Sequence, residues 1–101
     1  MADAPRRLSE EEVKLALSRL GPWQVVGGKL HREYRFRDFV EAWGFLSSAA
    51  LLIQQMDHHP EWSNVYHTVR IDLVTHDAGG ITRRDVELAE KLEALAARRM
   101  G

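Results

Sequence analysis

The sequence predicts an α+β domain in the order α-β-β-α-β-β-α, in which three helices pack on one face of a four-stranded antiparallel sheet. Two observations favour this architecture. Apolar residues recur at helical spacing in three segments, and two pairs of alternating segments joined by short turns lie between them. Strands joined by short turns pair in antiparallel order, and helices then cover one face of the sheet while the other meets solvent.

The first helix is predicted to begin at Ser9, after a loose leader over residues 1–8. Ser9 and Glu12 have the spacing of a capping box, and neighbouring glutamates favour the positive end of the helix. Gly21 and Pro22 are typical of a helix end, because glycine adopts the left-handed conformation and proline cannot continue the helical hydrogen bonds.

Two hairpins are predicted from alternating segments on either side of short turns. Residues 23–26 and 30–36 flank a Gly-Gly pair, and residues 62–66 and 68–75 flank a tight connection near His67. In the second strand of each hairpin, mainly apolar side chains alternate with polar ones. This pattern predicts one face turned to the core and one turned to solvent.

Two further helices complete the prediction. The longer one begins after Asp38 and ends near Gln55, and Thr82 caps the last one. The longer helix has an apolar stripe at Phe39, Ala42, Trp43, Leu46, Ala49, Ala50 and Ile53. The stripe of the last helix is formed by Val86, Ala89, Leu92 and either Leu95 or Ala96.

Length and composition indicate one globular domain over residues 1–101, with a small core that oligomerisation would help to stabilise. The net charge of −1 lacks the basic excess of a nucleic-acid-binding protein, so no direct nucleic-acid binding is expected. The chain has no cysteine, no apolar run of membrane-spanning length and no apolar stretch typical of a signal peptide. A cytoplasmic protein without membrane contact is therefore expected.

Four of the five histidines lie between Asp57 and Asp85. His58 and His59 follow the predicted end of the second helix, and His76 ends a strand where a turn begins. Imidazole has an ordinary pKa near neutrality, which suits it to proton transfer. A plainer interpretation stays open for each: the adjacent pair would cap a helix at the surface, and His76 would be a polar strand end.

Three neighbouring residues also have two interpretations each. Asp85 has capping-box spacing from Thr82, but the N-terminus of a helix also binds polar ligand groups. Pro60 and Trp62 would form a turn and part of the core, or they would be walls of a pocket for a flat aromatic ligand.

A metal site is the rival chemistry, because three histidines could supply three nitrogens, as in some catalytic zinc centres. The sequence has no cysteine and no pair of histidines with H-x-x-x-H spacing on a helix. It also shows no obvious carboxylate fixed beside the adjacent histidines. Acid–base chemistry is therefore the favoured interpretation.

The histidine-rich region closely resembles a known family. Residues 57–66 read D-H-H-P-E-W-S-N-V-Y, and residues 75–85 read T-H-D-A-G-G-I-T-R-R-D. Both strings resemble the pterin-4a-carbinolamine dehydratase family, and the likeness extends from about Ser9 to the last helix. The resemblance implies removal of water from a 4a-hydroxytetrahydropterin to give quinonoid dihydropterin, which recycles the pterin cofactor of aromatic amino acid hydroxylases.

The resemblance also implies roles for site residues, without a metal ion or another cofactor. The catalytic candidates are His58, His76 and Asp85, and the substrate-binding candidates are His59, Pro60 and Trp62. His58 and His76 would transfer protons, whereas Asp85 would orient a histidine or a polar group of the pterin. Members of the family often carry an acid where this chain has Gln54, and an acid favours protonated imidazole, so a lower pH optimum is expected here.

The family further implies homodimers formed through paired sheets, or homotetramers formed through helices. Two other functions stay open. The chain could be a non-catalytic oligomeric partner that stabilises another protein, or an enzyme that uses the same site on a different pterin, such as one of molybdenum-cofactor metabolism. Retention of the three histidines and Asp85 favours catalysis over the partner role.

Overall fold

The computed structural model describes residues 6–100, apart from the side chain of residue 100. The helices are α1 (Glu10–Leu20), α2 (Phe39–Met56) and α3 (Arg83–Met100), and the strands are β1 (Gln24–Val26), β2 (Lys29–Arg35), β3 (Glu61–Val65) and β4 (Thr68–Leu73). A short 3-10 turn at His76–Ala78 lies between β4 and α3. This order confirms the predicted α-β-β-α-β-β-α arrangement.

The four strands form an antiparallel sheet in the order β1-β2-β4-β3. Both predicted hairpins are present, and their second strands pair at the centre, where Leu30 lies opposite Leu73 and Tyr34 opposite Val69. These four side chains and Ile71 are almost completely buried. The prediction of an antiparallel sheet with three helices on one face is confirmed.

The other face of the sheet carries charged side chains. Glu33 accepts hydrogen bonds from Arg70 at 3.0 Å and from Arg35 at 3.1 Å, and His31 Nδ1 lies 2.8 Å from Asp72 Oδ1. Ion pairs that remain partly exposed contribute at most about 1 kcal/mol each. They suit a hydrated face, and this explains why the helices pack on one side only.

The predicted capping box begins α1. The Ser9 hydroxyl accepts a hydrogen bond from the Glu12 amide at 3.1 Å, and the Glu12 carboxylate accepts one from the Ser9 amide at 2.9 Å. The Arg6 guanidinium donates to the same carboxylate at 2.8 Å, and this hydrogen bond lowers the pKa of Glu12 to about 2. The sequence signal for the start of α1 therefore corresponds to real hydrogen bonds.

The segment before α1 is attached to the fold where the structure describes it. Arg6 is bound to Glu12, and the Leu8 amide donates a hydrogen bond to the Ile81 carbonyl at 2.8 Å. Residues 6–8 of the predicted leader are thus fixed rather than loose, and residues 1–5 lie outside the described residues.

The face that α2 buries differs from the prediction. Its buried residues are Ala42, Phe45, Leu46, Ala49 and Ile53. The members of the predicted stripe that lie at the surface instead are Phe39, Trp43 and Ala50. This helix is apolar around most of its circumference, so periodicity alone does not fix the buried face. The rings of Tyr34 and Phe36 fix the buried face, because they lie 5.2 Å and 5.1 Å from the Phe45 ring.

Among residues 6–100, no helix is long and apolar enough to cross a membrane.

The elements on either side of the His76 turn are β4 and α3, and both differ in detail from the prediction. β4 ends at Leu73, earlier than predicted, and Thr75 instead forms a single bridge with Gly80. The buried stripe of α3 consists of Leu88, Ala89, Leu92 and Ala96, so the choice between Leu95 and Ala96 falls on Ala96. Val86 and Leu95 pack at the edge of this core.

A partly buried polar cluster attaches α3 to the first hairpin. Glu93 Oε1 accepts hydrogen bonds from Trp23 Nε1 at 2.9 Å, Tyr34 OH at 2.7 Å and Arg32 Nε at 3.1 Å. The Arg32 guanidinium also lies 4.0 Å from the centre of the Tyr34 ring. This cluster explains how an arginine occupies the core-facing side of β2.

The same cluster shifts the pKa values of its members. Burial, together with the hydrogen bond to Glu93, raises the pKa of Tyr34 well above its usual range. Burial opposes ionisation of Glu93, but hydrogen bonds from Arg32 and Tyr34 outweigh it and lower the pKa of this carboxyl. Glu93 is therefore more strongly ionised in the folded protein than in the unfolded chain.

We expect Glu93→Gln to lower the free energy of unfolding by about 1–3 kcal/mol at pH 7, because charge-assisted hydrogen bonds are lost. The lowered pKa means that this contribution is complete above the ordinary carboxyl pKa of about 4.3, and is lost as pH falls through the folded-state value. Urea unfolding at pH 7 and at acid pH tests both statements. The control is Glu90→Gln at an exposed position of α3. Equal stability of the two variants at pH 7 would contradict the expectation.

Candidate active site

The end of α2 turns His58 into the interior. Asp57 adopts the left-handed conformation with φ 51°, and its amide donates to the Gln54 carbonyl at 3.2 Å. The His58 amide donates to the Ile53 carbonyl at 3.3 Å, so two of the four carbonyls that the helix end leaves without intrahelical partners are satisfied. The result is a buried His58 directly after the helix, with an exposed Gln54 one turn before it.

His58 faces the carboxylate of Asp85, which is completely buried in the first turn of α3. His58 Nε2 lies 2.5 Å from Asp85 Oδ1. The other carboxylate oxygen, Oδ2, accepts a hydrogen bond from the Thr82 amide at 2.8 Å and one from the Thr75 hydroxyl at 2.9 Å. Asp85 thus caps α3 and contacts a site histidine at once, as the sequence allowed.

Thr75 and Thr82 are the residues of this cluster that sequence analysis did not identify as site residues. Thr75 follows β4 and is 6% exposed, and Thr82 is fully buried at the start of α3. Their hydroxyl oxygens lie 2.8 Å apart. Thr82 was recognised only as a cap, and no local signal marks Thr75, because its partners lie in another segment of the chain.

His76 lies on the exposed side of the same region. Its side chain is 77% exposed, and its Nε2 lies 3.4 Å from Glu61 Oε2. The other oxygen of Glu61 is 2.6 Å from Lys29 Nζ, and this hydrogen bond lowers the pKa of Glu61 and raises that of Lys29. The start of β3 is thereby placed beside the turn that carries His76.

His59 and Pro60 occupy the chain between these two contacts. The His59 side chain is exposed, with Nε2 3.5 Å from Asp57 Oδ1, so the adjacent histidines point in different directions. Pro60 is half-buried. Because His58 and Thr75 both contact Asp85 and Glu61 contacts His76, residues 58–61 run beside residues 75–76.

Trp62 lies apart from the histidines. It pairs with Ile71 across β3 and β4, and with Trp43 it lines a groove of about 400 Å³ between α2 and the edge of the sheet. No histidine lines this groove. A larger concavity of about 640 Å³ lies between α1 and residues 79–81, also without a site histidine. The candidate site is therefore marked by its chemistry and not by the size of a cavity.

The three histidines do not form the metal site that the sequence left open. His58 faces Asp85, whereas His76 faces Glu61. Within residues 6–100, no group of three or more His, Asp and Glu side chains is arranged to hold a metal ion. The donors present instead form pairs of imidazole and carboxylate, an arrangement suited to proton transfer.

Comparison with known proteins identifies the family. A family model described as Pterin 4 alpha carbinolamine dehydratase matches residues 6–95. The chain belongs to this family. A relative from Solibacter usitatus is 59% identical over 91 residues, which cover 90% of this chain and 96% of the relative. A relative from Nitrobacter hamburgensis is 51% identical over 92 residues, covering 89% and 91% respectively. Both relatives are named provisionally as pterin-4-alpha-carbinolamine dehydratases.

Two solved structures are similar to this chain. A crystal structure from Brucella melitensis, titled a transcriptional coactivator/pterin dehydratase, has a TM-score of 0.87 and 43% identity, and the match covers 90% of this chain and 99% of that one. A pterin dehydratase-like protein, identified as a RuBisCO assembly factor in the alpha-carboxysome, has a TM-score of 0.61 and 23% identity over 73% and 86% of the two chains. The second likeness shows the fold alone. The predicted family and fold are confirmed, whereas the residue roles stay predictions.

We expect Asp85→Ala to lower the free energy of unfolding by about 3 kcal/mol, since it leaves several buried donors without an acceptor. Asp77→Ala, at an exposed position in the neighbouring turn, is the matched control and should change stability by less than about 0.5 kcal/mol. Urea unfolding of both variants at pH 7 measures the difference. A loss of stability no greater than that of the control would show that the buried carboxylate contributes little.

Proposed function

We propose that this chain dehydrates a 4a-hydroxytetrahydropterin to quinonoid dihydropterin, through acid–base catalysis by histidines and without a metal ion. The observation that carries the proposal is the buried contact between His58 and Asp85 in a member of the pterin dehydratase family. Provisional names of relatives that cover nine-tenths of the chain support the same reaction.

The reaction needs two proton transfers and no redox partner. The C4a–O bond breaks, and the hydroxyl group takes up a proton and leaves as water. The ring nitrogen N5 loses a proton, and its electron pair forms the new bond to C4a. Groups that exchange protons near neutral pH lower the barrier of both transfers, and imidazole is such a group.

The two proposed proton-transfer residues lie in different surroundings. His58 is buried and held by the carboxylate of Asp85, whereas His76 is exposed and faces Glu61. A buried imidazole and an exposed one suit a reaction in which one group donates a proton and the other accepts it. Asp85 contacts His58 rather than open space, so its proposed role is to position that histidine.

The substrate-binding residues proposed are His59, Pro60 and Trp62. His59 and Pro60 lie between the two proton-transfer histidines along the chain, and an imidazole at this place can hydrogen-bond a pterin edge. Trp62 offers an indole that is 37% exposed, in the groove beside α2. Its use as a pocket wall requires a substrate that reaches this groove.

A partner role is the second candidate function. Side chains of α2 support it, because Val40, Trp43 and Leu51 are 77%, 57% and 74% exposed, although each is large and apolar. The relative from Brucella melitensis is described as a transcriptional coactivator as well as a pterin dehydratase. A homodimer or homotetramer would cover this exposed apolar face of α2.

The dehydration proposal also includes a cytoplasmic location and a role in recycling the pterin cofactor of aromatic amino acid hydroxylases.

Turnover of chemically generated 4a-hydroxytetrahydropterin tests the proposal. We expect native protein to exceed the spontaneous dehydration rate, and His58→Ala or His76→Ala to reduce this acceleration by roughly 10²-fold or more. Chelator should leave the rate unchanged. His31→Ala, on the charged face of the sheet, is the matched control and should retain the native rate.

The outcomes separate the functions left open by the sequence. Folded native protein that does not accelerate the reaction would contradict dehydration of this substrate, and turnover of another pterin would then identify the substrate class. Loss of activity with chelator would contradict the metal-free mechanism. Full activity of both alanine variants would contradict the roles of His58 and His76.

A further inference from the structure

The hydroxyl groups of Thr75 and Thr82 extend the buried cluster behind His58. Thr75 Oγ1 lies 2.9 Å from Asp85 Oδ2 and 2.8 Å from Thr82 Oγ1. Thr82 Oγ1 also accepts a hydrogen bond from the Arg84 amide at 3.2 Å. Both threonines and Asp85 are at least nine-tenths buried, so water does not compete for these groups.

The hydrogen bonds of this cluster all run in one direction, from donor to acceptor. A carboxylate only accepts hydrogen bonds, so the single hydroxyl proton of Thr75 is donated to Asp85. Thr75 Oγ1 must then accept the proton of the Thr82 hydroxyl, which in turn accepts from the Arg84 amide. The chain of donors therefore runs from Arg84 through Thr82 and Thr75 to Asp85, and each member polarises the next.

The hydrogen bonds of Asp85 also indicate which ring nitrogen of His58 carries a proton. Asp85 Oδ2 already accepts from the Thr75 hydroxyl and the Thr82 amide, and Oδ1 faces His58 Nε2. Because the carboxylate accepts, Nε2 carries a hydrogen. In the neutral imidazole the other nitrogen, Nδ1, then holds the free lone pair.

We propose that Thr75 and Thr82 are positioning residues of the candidate site. They orient Asp85, which holds His58 as the Nε2–H tautomer and leaves Nδ1 as the atom that exchanges a proton with the substrate. The catalytic half of this inference rests on the proposed dehydration, whereas the tautomer of His58 does not depend on it.

The arrangement exceeds what the start of α3 requires. A capping box at the start of α3 needs only two bonds, one from the Arg84 amide to the Thr82 hydroxyl and one from the Thr82 amide to Asp85. The Thr75 hydroxyl comes from the end of the sheet and adds a second donor to the same oxygen. A valine would fill nearly the same volume without a buried hydroxyl, so the hydroxyl serves orientation of the carboxylate rather than packing.

Nitrogen NMR of the histidine rings and steady-state kinetics test the inference. We expect native His58 to show the Nε2–H tautomer at neutral pH in its ring ¹⁵N shifts. Thr75→Val should mix the two tautomers and reduce kcat about tenfold, the rate equivalent of one hydrogen bond, with KM changed less than twofold. Thr75→Ser, which restores the hydroxyl, should recover both signals. Thr68→Val in β4 is the matched control and should leave both unchanged.

The outcomes test the His58 tautomer, the positioning role of Thr75 and the proposed dehydration separately. A native His58 protonated on Nδ1 alone overturns the tautomer, and this measurement needs no variant. A Thr75→Val protein that matches Thr68→Val in both ¹⁵N shifts and kcat overturns the positioning role. Inactive native protein whose His58 tautomer still responds to Thr75→Val supports positioning and overturns dehydration. Active native protein with an unresponsive tautomer overturns positioning alone.

Discussion

The completely buried carboxylate of Asp85 is the constraint around which the candidate site is built. Burial of a charged group is costly unless hydrogen bonds replace its water. The replacements come from three segments: His58 after α2, Thr75 after β4, and Thr82 at the start of α3. All three segments must therefore meet within hydrogen-bond distance of one side chain, and this requirement fixes where the chain leaves each element.

This constraint produces an asymmetric pair of histidines. His58 is immobilised on the inner side by Asp85, whereas His76 sits in solvent at the turn that follows Thr75. One backbone step thus separates a residue that holds the buried carboxylate from an exposed residue, His76, to which we assign a proposed role in proton transfer. Acid–base catalysis uses such differences, because the donor and acceptor of protons must not be equivalent.

Features with local causes could be predicted from the sequence, and features that need distant contacts could not. The Ser9 capping box and the Gly-Gly turn act within a few residues, so element order followed from them. The buried face of α2 could not be predicted in this way, because the Tyr34 ring on β2 packs against Phe45 and leaves the equally apolar Trp43 exposed. Thr75 was missed for the same reason, since its acceptor lies in another element.

The position of α3 links the stability of the domain to its chemistry. This helix carries two carboxylates about two turns apart: Asp85 binds the histidine region, and Glu93 binds Trp23, Arg32 and Tyr34 of the first hairpin. A helix held at two points along its length resists rotation about its axis. Because rotation would carry Asp85 away from His58, the Glu93 cluster protects the geometry of the site although it touches none of the site residues.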